Sequence, residues 1–130
     1  MQSSSLNNAA LLIARILLAA IFIKGGWDKY WGYQGTLGYM GKAGVPGSLL
    51  PLVIITEFVG GLLILIGWQT RIAAVALAGF CIVSALLFHL AFASMPQTVN
   101  LFKNLAMAGG FLALFVSGAG AYSVEGRRNA

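Results

Sequence analysis

Charge is what this sequence has least of. Asp and Glu together number 3 and His 1 among 130 residues, and all charged residues make up 8%, against about 25% in ordinary soluble domains. Cys81 is the single cysteine, which excludes an intramolecular disulfide and any CxxC relay. One histidine and no acidic cluster leave an all-protein metal site without a donor set. They also rule out bis-histidine haem ligation within one chain. A basic run is missing as well. The net charge is +5, but the lysines and arginines are scattered, so nucleic acid is not an expected partner. The chain begins MQSSSLNN without a basic stretch, and Arg15 interrupts the first apolar run. It therefore reads as an uncleaved first span rather than a secretory signal.

What the sequence has instead is hydrocarbon. Apolar residues reach 59% and mean hydropathy is +0.88, arranged in long runs that predict an all-α, four-transmembrane-helix antiparallel bundle in a single domain over 1–130. The predicted spans are about 7–25, 47–68, 71–93 and 99–122, each near the ~20 residues a bilayer requires. Asn7 or Asn8 is the expected cap of the first and Thr70 of the third. Between the first two spans lies a glycine- and aromatic-rich connection, 26–47, with Trp27, Tyr30, Trp31, Tyr33 and Tyr39. Such a segment fits an interfacial loop at headgroup level, with room for a short helix. The last residues, SVEGRRNA, read as a polar, mobile end.

Polar side chains inside these runs are the candidate functional groups, because hydrocarbon offers no solvent to a lone charge. Glu57 sits at the centre of the second span, on one stripe with Gly61, Ile64 and Trp68. Arg15, Phe22, Gly26 and Lys29 share a stripe of the first, with Lys24 on the opposite face. Counting from flush helix ends puts Arg15 about 12 Å and Glu57 about 15 Å from the terminal side. A buried Arg15–Glu57 ion pair is the simplest expectation. His89 falls nearer the other end, so a second polar layer is expected there, built from Lys29, His89, Lys103 and Asn104, with room for Asp28, and roofed by Trp27 and Trp31. Buried Cys81 reads as inert packing.

The pattern resembles the DoxX family of small bacterial membrane proteins over 15–118. The residues that carry the resemblance are Arg15, Gly26-Trp27-Asp28-Lys29, Gly44-Val45-Pro46, and Glu57-Phe58-Val59-Gly60-Gly61. Gly67-Trp68-Gln69-Thr70-Arg71, Ala73-Ala74, His89, Lys103-Asn104 and Gly109-Gly110 complete it. The resemblance implies a four-helix protein of the bacterial inner membrane, in a family tied to subunits of thiosulfate:quinone oxidoreductases.

Three functions stay open at this point. One is a redox-associated subunit that binds a quinone or similar lipophilic ring at the polar layer. It would be at most a quinone-linked subunit of an oxidoreductase, since no flavin, haem or cluster site is visible, and electrons would come from a partner subunit. A second is a small-molecule or proton-coupled carrier, which would require a homo-oligomer. The third is a structural or assembly subunit whose charges only fix packing. Lipid is the constant partner. Both termini are expected on one side, the cytoplasmic one by the Arg127-Arg128 end, although the lysines and arginines divide almost evenly between the two sides.

Overall fold

The computed structural model describes residues 4–88 and 95–128. They form α1 (Ser5–Trp31), α2 (Tyr33–Lys42), a 3-10 turn (Gly47–Leu49), α3 (Leu50–Ile66), α4 (Thr70–Phe88), α5 (Met95–Ser117) and α6 (Val124–Arg128). Four stretches, in α1, the 3-10 turn with α3, α4 and α5, are long and apolar enough to cross a membrane. Among the described residues there is no strand.

α1 starts earlier and ends later than expected. Ser4 caps it, its Oγ accepting from Asn7 N at 3.0 Å, so the helix is under way before the asparagines. It then continues through Gly25-Gly26 to Trp31. Glycine pairs end helices in water, but inside a membrane bundle they let two backbones approach. A Cβ on Gly26 would stand 2.9 Å from Phe58 Cβ, and one on Gly61 would stand 2.8 Å from Ile23 Cγ1. α1 and α3 thus meet backbone to backbone. The facing pairs run in opposite directions along the chain, so the two helices are antiparallel.

The expected connection 26–47 is largely helical. After a kink at Gly32, α2 carries Tyr33, Thr36, Tyr39 and Met40, and Met40, Val45 and Leu50 form a small core with Tyr33, Leu37, Val53, Ile54 and Phe88. α2 is therefore held to the end of the bundle where α3 begins and α4 ends. The main core lies in the other half, with Phe22 at 5.4 Å from Phe111 and 6.3 Å from Phe80, both edge-on. Alanines 19, 73, 74, 78 and 108 and the fully buried Cys81 fill around them. Hydrocarbon outside is as apolar as leucine, so shape and contact rather than water exclusion hold these helices together.

The terminal end is more ordered than its composition suggests. α3 stops at Gly67 with φ +74° and α5 at Gly118 with the same φ, the left-handed conformation that only glycine adopts freely. The chain then returns across the bundle: Glu125 N donates to Gly67 O at 3.1 Å and Ala121 N to Asn8 Oδ1 at 3.4 Å. The two ends of the chain meet at one end of the bundle. Ser123 is buried and its Oγ donates to Gly120 O at 2.6 Å and accepts from Gly126 N at 2.9 Å. Residues 121–125, at the start of the end expected to be mobile, instead cap α1 and α3.

Candidate functional site

Glu57 arises on the face of α3 that also carries Leu50, Gly61 and Ile64, all buried. Its carboxylate meets α1 at Gly25 and Lys29. Lys29 Nζ stands 2.8 Å from Glu57 Oε1, with the glutamate side chain 5% and the lysine 33% exposed. A Cβ on Gly25 would overlap Glu57 Oε2, so the glycine makes the space in which the carboxylate sits. The pair links the last turn of α1 to the middle of α3.

The Arg15–Glu57 pair expected from counting does not form. Arg15 is fully buried, but its Nη1 donates to Leu65 O at 3.3 Å and Ile64 O at 3.5 Å, and its Nη2 to Tyr122 O. The reason is register. α1 is 27 residues long and α3 only 17, so the helices are not flush. Gly25 lies level with Glu57, and Arg15 is ten residues earlier, about 15 Å away along the axis. The guanidinium meets the carboxyl end of α3, where free carbonyls and the helix dipole present negative charge. Glu125 adds its field from the returning segment. Arg71 does the same for α5, its Nε donating to Phe115 O at 2.9 Å.

On the inner side of Glu57 the bundle encloses a cavity of about 430 Å³. Its walls are Phe22 and Gly25 of α1, Val53, Thr56 and Glu57 of α3, Phe80, Ser84 and Phe88 of α4, and Asn104 and Met107 of α5. α2 closes it from the loop end with Thr36, Tyr39 and Met40, and the Tyr39 ring stacks on Phe88 at 5.2 Å and 16°. A volume of this size, apolar walls and a few convergent polar groups are the usual make-up of a small-molecule site.

Of the expected polar layer, Lys29 and Asn104 line this cavity. Trp27 and Trp31 do not: they are 55% and 69% exposed, edge to face with each other at 5.9 Å on the outer side of α1. Lys103 is exposed. The inward stripe of α5 is Leu101, Asn104, Ala108, Phe111 and Leu114, and one residue of offset turns a side chain about 100°. Lys24 pairs with Asp28 at 2.6 Å on the exposed face of α1, which removes Asp28 from the layer. His89 lies outside the described residues. Thr70, the expected cap of α4, is buried with an unpartnered hydroxyl. Thr36, Tyr39, Thr56 and Ser84 went unsuspected. Thr56 beside Glu57 was the readable hint, whereas Tyr39 reaches the site only because α2 folds back.

The sequence comparisons agree with this architecture. The DoxX family model matches residues 10–90, which holds α1 through α4 with both members of the ion pair. The chain belongs to the DoxX family. This DoxX chain is 49% identical over 120 residues to Inner membrane protein YqjF of Escherichia coli (strain K12), covering 92% of each chain. It is 36% identical to Inner membrane protein YphA of the same organism, over 90% of this chain and 89% of that one. "Putative oxidoreductase CatD" of Bacillus subtilis (strain 168) is 33% identical over 67 residues, 52% of this chain and 50% of that one. No solved structure matches.

Proposed function

We propose that this DoxX protein binds a lipophilic ring of quinone type in the cavity beside Lys29 and Glu57, as a membrane subunit associated with redox chemistry. The single observation that carries the reading is the pairing of an ion pair and Asn104 with aromatic walls in one cavity of about 430 Å³. A ring with two oxygens needs apolar faces for its plane and hydrogen-bond donors for its edge. Phe22, Phe80, Phe88 and Tyr39 supply the first, and Lys29 and Asn104 the second. A quinone would supply the electron-carrying group that the side chains lack, with Lys29 and Glu57 the residues placed to hold a proton beside it. The redox association draws on the name of CatD, which calls that protein an oxidoreductase; electrons would come from a partner subunit. Residence in the inner membrane follows the two Escherichia coli relatives, with both termini cytoplasmic on the strength of the basic end.

Small molecules retained by the protein in native-lipid nanodiscs, identified by mass spectrometry, test this. The expected result is a quinone or other ring lipid retained by the wild type and lost, with the fold intact, from Ser84→Trp, which fills the cavity. Bulk phospholipid alone in both would sink the reading. A second reading, in which the ion pair only sets the register of α1 on α3, draws on the seat that Gly25 makes for Glu57. It expects Lys29→Met with Glu57→Leu to be no less stable than either single change and to retain the same molecules.

A further inference from the structure

The cavity is not closed all round. α3 and α4 touch where Leu77 lies against Gly60, a Cβ on which would come within 3.2 Å of it. Toward the loop end both helices line the cavity, and apolar residues on its rim are exposed. Leu52 on α3 is 61% exposed, and Val83 and Leu87 on α4 are 54% and 49%, yet all three line the cavity. They lie on spans α3 and α4, below the stacked Tyr39 and Phe88 that bridge α2 to α4. From Leu52 to Glu57 is about 8 Å along α3, so the opening faces the hydrocarbon rather than water.

From this geometry we infer a lateral portal between α3 and α4, framed by Leu52, Val83 and Leu87, that admits the ligand from the bilayer and keeps its alkyl tail in the opening. The inference rests on the ring reading above and narrows it to molecules with a long hydrocarbon tail. Three facts argue for that occupant. Among the described residues, the exposed side chains that frame the opening, Leu52, Val83 and Leu87, are apolar and offer nothing to a headgroup or a peptide. The opening is continuous with the cavity and lies at a depth where only acyl or isoprenoid chains are abundant. A ring seated by Lys29 and Asn104 leaves one edge directed to the wall of α3 and α4. Its exposed lining residues Leu52, Val83 and Leu87 lie within these helices, whereas the exposed Tyr39 and Leu49 line the cavity at its loop end. The opposite wall contributes Ile21, at 55% exposure, as its one exposed apolar residue.

Two photoreactive benzoquinones, one with an azide on the ring and one with a diazirine midway along a ten-carbon tail, would be photolysed with the full chain in nanodiscs. The labelled peptides would then be mapped. The ring probe should label cavity residues of α2 and α4, and the tail probe Leu52, Val83 or Leu87. Val83→Trp should reduce ring labelling at least fivefold, and Val75→Trp, on the same helix but outside the cavity lining, should leave it within twofold, with both variants folded by circular dichroism. Ring labelling in the cavity with the tail label at Ile21 or Met107, or with Val83→Trp without effect, overturns the portal and leaves the ring reading standing. No label on the cavity residues from the ring probe overturns both.

Discussion

A methyl group at position 25 would collide with Glu57 Oε2, and from that small fact much of the residue-scale account follows. The carboxylate is seated by a glycine and neutralised by Lys29, four residues further along the same helix. Arg15, by contrast, is held at a helix end by carbonyl oxygens through Nη1 and Nη2, while its buried Nε has no partner. Charge-assisted bonds to a helix terminus suit a guanidinium, whose forked donors reach several carbonyls at once. The two buried charges are therefore independent. A double-mutant cycle read by unfolding in SDS should give a Lys29–Glu57 coupling of about 1–2 kcal/mol and an Arg15–Glu57 coupling within about 0.5 kcal/mol of zero. A large Arg15–Glu57 term would mean that the register of α1 on α3 is wrong. Arg15→Ala alone should cost about 2–3 kcal/mol, because buried carbonyls lose a charged donor.

At the scale of the element, the same glycine residues separate into those that bring helices together and those that do not. Gly61 faces the backbone of α1 at Ile23, whereas Gly79 on α4 has nothing within 4 Å of where a Cβ would be. Gly61→Ala should lower stability by about 1–3 kcal/mol through overpacking, while Gly79→Ala should leave it unchanged or raise it by up to about 1 kcal/mol through helix propensity. Melting midpoints of the two variants in detergent would decide it. The elements were legible to different degrees in the sequence. Four spans could be read from apolar length, and the inward stripes of α1 and α3 from the 3.6-residue period, since Arg15, Phe22, Glu57, Gly61 and Ile64 are all buried. The length of α1 was not legible, because Gly25-Gly26 carries one meaning in water and another in a membrane. α2 was legible only as room for a short helix within 26–47, since it is glycine-rich and its support comes from Val45 and Leu50 just beyond it and from Phe88 far along the chain. Of the two α5 residues expected in the polar layer, Asn104 lines the cavity and Lys103 is exposed, because one residue of offset turns a side chain about 100°.

For the whole molecule, two hairpins, α1 with α3 and α4 with α5, each end in a left-handed glycine and an arginine from the partner helix. Gly67 with Arg15 and Gly118 with Arg71 repeat that device, although nothing in the spacing of Gly60-Gly61 and Gly109-Gly110 announced it. The segment after Gly118 then closes the first hairpin through Tyr122, Ser123 and Glu125. A chain cut after Ser117 should lose the acceptor on Arg15 Nη2 and the donor on Gly67 O together. Its melting midpoint should fall by more than that of Arg71→Ala, a substitution confined to exposed carbonyls. Equal midpoints would show that the returning segment adds nothing to the bundle.

The terminal half thus holds the arginine–carbonyl contacts, and the loop half holds the cavity. Whether that cavity is the binding site is settled most directly by affinity. A short-tailed benzoquinone titrated into nanodiscs by calorimetry, with empty nanodiscs as the reference, would be compared between wild type and Asn104→Leu, a change that leaves the ion pair in place. The expected result is saturable binding to the wild type, weakened about tenfold or more by the substitution, near 1.4 kcal/mol. Binding of equal strength to both proteins, or none beyond that of the lipid, would contradict the account.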